Sequence, residues 1–191
     1  MTMHNSVDGE CFTLKILCPE ISEVYLAEQK RLEKYLNKIL PVDKIHLGLK
    51  YMAYETDYSD DYMKSLVPEI RKIVDQFLPT RIEIQGLGGF WNDQKWPSKP
   101  IIFLKVKLTT ELKEFHNALR EFLKDKVDTF ILAEGENYSP HITLGVGDEN
   151  KSEELKEIVN KSQFTSTIVF TAKKFAMRLK DGKTHTITNG I

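Results

Sequence analysis

The chain has 191 residues, 27 Lys plus Arg against 28 Asp plus Glu, and a formal net charge of −1. That length fits one domain or two tightly fused lobes, at roughly 100–200 residues per domain. With 41% apolar residues and ten Phe, seven Tyr and two Trp it needs an interior, so disorder is excluded. Near-zero charge excludes a coat for duplex nucleic acid and leaves a short strand, an RNA end or a small nucleotide as partner.

In chain order, residues 1–10 are polar and carry no apolar signal core. Residues 11–17 alternate Phe12, Leu14 and Ile16 with polar neighbours and predict a strand, closed by Pro19. Cys11 and Cys18 are too few for a disulfide scaffold and fit a reducing compartment, so a cytoplasmic protein is expected. No run approaches the roughly 20 apolar residues of a membrane span, and a monomer away from membranes is expected. From 21 to 40 the apolar residues Ile21, Val24, Tyr25, Leu32, Leu36 and Ile39 recur at helical spacing, ended by Pro41.

A second strand is predicted over 45–52, then an acidic loop over 55–61 and a helix over 66–77 with Pro68 in its first turn. Residues 81–85 alternate as a strand and run into Gly86-Leu87-Gly88-Gly89; 90–100, with both tryptophans, reads as an ordered loop. The order then repeats: strand 101–108, helix 111–126, strand 141–146 and short helix 153–161. Strands over 166–170 and 175–179, joined tightly, precede a turn at Asp181-Gly182 and a last strand over 184–188. This mixture of helical and hairpin-like connections predicts an α+β fold, a single domain of two lobes from a duplicated unit.

The sharpest match between halves is Ile45-His46-Leu47-Gly48-Leu49 against Pro140-His141-Ile142-Thr143-Leu144. Alternation places His46, Gly48 and Lys50 on one strand face, and His141, Thr143 and Gly145 on another. If the two strands meet, two imidazoles face one cleft. Such a pair suits phosphodiester chemistry, because one neutral ring accepts a proton while a protonated one donates to the leaving oxygen. The Thr143 hydroxyl can hold a non-bridging phosphate oxygen. No metal or cofactor is required.

The run Ser139-Pro140-His141-Ile142-Thr143-Leu144 resembles the His-x-Thr-hydrophobic motif of the two-histidine phosphoesterase superfamily, notably its 2′-5′ RNA ligase-like, RNA 2′,3′-cyclic phosphodiesterase group. Gly86-Leu87-Gly88-Gly89-Phe90 is similar to the stretch between that family's two motifs, and the resemblance spans roughly Phe12 to Leu179. It implies two antiparallel sheets around a central groove with helices outside. It also implies metal-independent hydrolysis of a 2′,3′-cyclic, 2′-5′ or cyclic oligonucleotide phosphodiester, with His46 and His141 catalytic.

The first motif departs from the pattern, because Gly48 stands where Thr or Ser is expected. A hydrogen bond to a charged group contributes about 1.5–3 kcal/mol, so the alternative is a nucleotide- or RNA-binding module with little turnover. Gly48 can otherwise admit substrate to the backbone, or Lys50 can fill the anion-binding role. Phe90, Trp91 and Trp96, set among Asn92, Asp93, Gln94 and Lys95, are candidates for a wall that stacks a base. Tyr138, three residues before His141, is a candidate for the cleft border. His4, His116 and His185 read as structural, and no zinc-ligand spacing is present.

Overall fold

Among the described residues of the computed structural model (11–54, 58–91, 99–127, 135–179 and 182–188), the chain forms nine strands and five helices. Strand β1 (Cys11–Leu17) buries Phe12, Leu14 and Ile16 on one face and Thr13 and Lys15 on the other. Helix α1 (Ser22–Leu32) buries Tyr25, Gln29 and Leu32. It stops well short of the expected residue 40. A 3₁₀ turn at Glu33–Tyr35 breaks it, and Leu36–Ile39 becomes strand β2. The cause is tertiary: β2 pairs with β6 (His141–Gly147) beside Gly145, where a Cβ would stand 2.4 Å from the Lys38 carbonyl oxygen. Pairing at that bare backbone overrides the local helical period.

Strand β3 (His46–Tyr54) follows. Residues 55–57 of the expected acidic loop lie outside the described residues. Asp60 and Asp61 begin a further helix, α2 (Asp60–Ser65), where the Ser59 hydroxyl accepts from the Tyr62 N–H at 3.1 Å. Helix α3 (Val67–Phe77) carries Pro68 in its first turn and buries Val67, Ile70 and Val74. Strand β4 (Thr80–Phe90) continues through the glycines to Phe90, and β5 (Ile101–Val106) returns beside it. Thr109 caps α4 (Thr110–Leu123), which buries Leu112, Phe115, His116, Leu119 and Leu123. Helix α5 (Ser152–Lys161) and strands β7 (Gln163–Ala172), β8 (Lys174–Arg178) and β9 (Thr184–Thr186) complete the chain.

The strands make two sheets, antiparallel throughout: four strands in the order β3-β1-β8-β9 and five in the order β2-β6-β5-β4-β7. With the helices this is the expected α+β fold. Helices α3 and α4 pack together and α4 meets β3, while α1 meets β6 and α5 meets β4. The chain crosses between sheets repeatedly. β2 and β4 from its first half join the five-stranded sheet; β8 and β9 from its second half join the four-stranded one. Strands β7 and β8 are consecutive yet belong to different sheets, so their tight connection is a crossover and not a hairpin. No helix among the described residues is long and apolar enough to cross a membrane.

Candidate active site

His46 opens β3 and His141 opens β6, and the two sheets meet at these strands. Each ring is fixed in the same way. His46 Nδ1–H donates to the Lys44 carbonyl at 2.7 Å, and His141 Nδ1–H donates to the Ser139 carbonyl at 2.7 Å. A carbonyl only accepts, so Nδ1 carries the proton and Nε2 holds the lone pair of the neutral ring.

Burial pushes the His46 imidazole down to about 4. Its bond to Lys44 opposes the shift, while Lys15, His141 and Arg178 deepen it. Burial also lowers His141, opposed by its bond to Ser139. The two rings thus share one electrostatic neighbourhood. Phe90 stands edge-on to His141 at 4.9 Å and 89°, and Phe103 lies tilted at 4.9 Å from the same ring, so apolar walls supply the desolvation.

Both motif strands carry a bulge at the same place. On β3, Lys15 pairs with Gly48 but Leu14 pairs with Lys50, leaving Leu49 as the extra residue. On β6, Phe103 pairs with Thr143 but Ile102 pairs with Gly145, leaving Leu144 extra. Each bulge shifts later residues to the other face. The carbonyls beside the bulges are held by side chains behind the sheets. The Tyr138 hydroxyl donates to the Gly48 carbonyl at 3.0 Å, and His116 Nδ1 to that of Leu49 at 2.6 Å. In the second motif the Tyr25 hydroxyl donates to the Thr143 carbonyl at 2.8 Å, and Gln29 Nε2 to that of Leu144 at 2.7 Å. Burial raises both phenols, so both remain donors.

These registers rearrange the expected site. Thr143 stays on the face of His141, half-buried beside Phe103. Gly48 stays with His46, but Lys50 does not: it is fully buried in register with Leu14, on the core face. Gly145 likewise leaves the face of His141 for that of buried Ile102. Phe90 reaches His141, but Trp91 does not join it: its indole lies over Gly89, on the opposite face of β4 in register with Ile102, and packs against the core. Trp96 lies outside the described residues, as does His4. Tyr138 is buried against His116, with ring centroids 4.0 Å apart, and braces β3 from behind. His185 lies on β9 in register with Met177.

Three residues on the His46 face of the four-stranded sheet escaped the sequence reading. Lys15 pairs with Gly48, and burial, Arg178 and Lys44 lower its ammonium. Its signal was present, since Thr13 and Lys15 alternate with Phe12, Leu14 and Ile16, but that pattern reads as a solvated face. Arg178 ends β8 in register with Thr13. Tyr51, brought to this face by the bulge, also pairs with Thr13. Among the described residues no three His, Cys, Asp or Glu side chains gather as metal ligands.

Two imidazoles held alike at the starts of two strands that meet from different sheets are the arrangement of a two-histidine phosphoesterase. The chain belongs to the 2′-5′ RNA ligase superfamily, whose family model matches residues 24–184 and so includes both motifs. Its fold is similar to that of TT0787 of Thermus thermophilus, at 14% identity and a TM-score of 0.61, covering 93% of this chain and 97% of that one. It is also similar to E. coli LigT complexed with 3′-AMP (14% identity, TM-score 0.60, 93% and 94% covered). LigT complexed with NADP+ gives 16% identity and a TM-score of 0.57, with 93% of both chains covered. No curated protein matches the chain in sequence.

Proposed function

We propose that this chain is a phosphodiesterase that hydrolyses a small nucleotide or RNA-end phosphodiester (2′,3′-cyclic, 2′-5′ or cyclic oligonucleotide) by two-histidine acid–base catalysis. The observation that carries it is the repeated fixing of His46 and His141 through Nδ1, which leaves an Nε2 on each ring for proton transfer. The cations Lys15 and Arg178 near His46 disfavour its protonation, which suits its neutral ring to accept a proton. His46 is therefore the base and His141 the acid.

In the reaction, His46 Nε2 takes a proton from water as the water oxygen attacks phosphorus. The bond to the leaving ribose oxygen breaks, and that oxygen takes the proton from His141 Nε2. Charge that builds on the non-bridging oxygens meets the Thr143 hydroxyl and the ammonium and guanidinium of Lys15 and Arg178. Phe90, edge-on to His141, borders the base side of the cleft. The LigT complexes with 3′-AMP and with phosphate support a phosphate-sized ligand in this fold.

The test is turnover of 2′,3′-cyclic nucleotides, 2′-5′ oligoadenylate and a cyclic oligonucleotide in EDTA. Hydrolysis of one of these, lost in His46→Ala and in His141→Ala, is expected. Full activity in either variant overturns the assignment. Tight binding without turnover across the panel would instead favour the binding-module reading.

A further inference from the structure

We propose that the Tyr51 hydroxyl supplies the phosphate contact that Gly48 cannot make, so the cleft keeps two hydroxyls, one beside each histidine. This rests on the phosphodiesterase reading and adds a substrate-binding residue that neither motif contains. The second motif presents His141 and Thr143 from one face of β6, and the matching position beside His46 is Gly48. That position is not empty space. A Cβ built on Gly48 would lie 2.6 Å from the Tyr51 hydroxyl oxygen, 2.9 Å from Cζ and 3.2 Å from Cε2. The phenol end of the ring therefore occupies the room in which a threonine or serine hydroxyl would stand.

The backbone explains how a residue three positions along returns to that spot. In an unbroken strand, residues 48 and 51 face opposite ways. The bulge at Leu49 reverses this, pairing Tyr51 with Thr13 and Gly48 with Lys15, two residues of one β1 face. Tyr51 is half-buried there, and its charge would be felt by the Tyr138 hydroxyl, which holds the Gly48 carbonyl from the other side. The absence of a Cβ at residue 48 and the phenol at residue 51 are thus one device: either change alone spoils it. A phenol O–H is a competent donor to an anionic oxygen. With the phenol over it, Gly48 is not an open approach to the backbone, and Lys50, buried on the core face, does not fill the role.

The experiment compares wild type, Tyr51→Phe, Gly48→Thr, Tyr51→Ala and the swap Gly48→Thr/Tyr51→Ala. It uses a hydrolysed 2′,3′-cyclic nucleotide for kinetics and inorganic phosphate for binding by calorimetry. Tyr51→Phe removes one oxygen and should lower kcat/KM on the order of tenfold to a hundredfold and weaken phosphate, with a cooperative unfolding transition retained. Gly48→Thr alone should lose activity through collision with the ring. The swap should exceed Tyr51→Ala, because the threonine then restores a hydroxyl. Wild-type kinetics and phosphate affinity in Tyr51→Phe, beside inactive His46→Ala and His141→Ala, would overturn this inference and leave the phosphodiesterase reading standing. Failure of wild type to bind phosphate or turn over substrate would contradict both.

Discussion

At the scale of single residues, the cleft's character comes from how little water its imidazoles see. His46 and His141 are both lowered by burial, and the free protein holds them mainly neutral near pH 7. A bound phosphodiester anion opposes that shift. The profile of kcat/KM, which reports the free enzyme, should therefore peak on the acid side of about 6.5, an ordinary imidazole value. The profile of kcat, which reports the complex, should peak at higher pH. Coincident profiles would contradict the electrostatic account. Stability carries a second signature. His46 sits near 4 when folded, against about 6.5 unfolded, so within that window the unfolded chain binds more protons. Its contribution is complete above about 6.5 and is lost as pH falls toward 4. Urea unfolding of His46→Gln should show a shallower acid loss than wild type between these values; identical slopes would contradict the shift. Much of this was legible beforehand, because a His two residues from a small residue, twice, on apolar strands, is a local pattern. Lys15 was not, since an alternating polar residue looks the same facing a cleft or facing solvent.

Among the elements, the bulges at Leu49 and Leu144 decide which side chains share a face with His46 and His141. The sequence reading assumed unbroken alternation, and this is why it placed Lys50 and Gly145 in the cleft and overlooked Tyr51. A bulge depends on partners far along the chain, here the carbonyl bonds from Tyr138 and His116 behind β3 and from Tyr25 and Gln29 behind β6. Removing one phenol leaves a buried carbonyl short of its partner, at a cost of about 1–3 kcal/mol. Tyr25→Phe and Tyr138→Phe should each lose stability by that order in urea unfolding, and each should lower kcat more than it raises KM through loosening of its own motif. Unchanged stability in both would show that the bulges hold without these clamps. Gly145→Ala should destabilise as well, because its Cβ meets the Lys38 carbonyl and pushes β2 from the sheet edge.

For the whole molecule, strand and helix types were mostly readable from periodicity, whereas strand partnership was not. The chain's order of elements suggested two sequential halves, yet β2, β4, β8 and β9 cross to the sheet of the other half. That choice is made by matching buried faces across long separations, and no local window contains it. β3 and β6 meet where the two sheets pack, so that each sheet brings one imidazole to the same junction. In a chain of net charge −1, Lys15, Lys44 and Arg178 place positive charge beside His46, a local charge suited to one phosphate group and not to a duplex. The central claim is that His46 and His141 act as one unit on one phosphodiester. Single-turnover hydrolysis of a 2′,3′-cyclic nucleotide in EDTA, by wild type, His46→Ala, His141→Ala and the double variant, tests it most directly. Groups that act together lose their effects non-additively, so each single variant should fall nearly as far as the double. Independent, multiplying losses, or a single variant that keeps the wild-type rate, would contradict it.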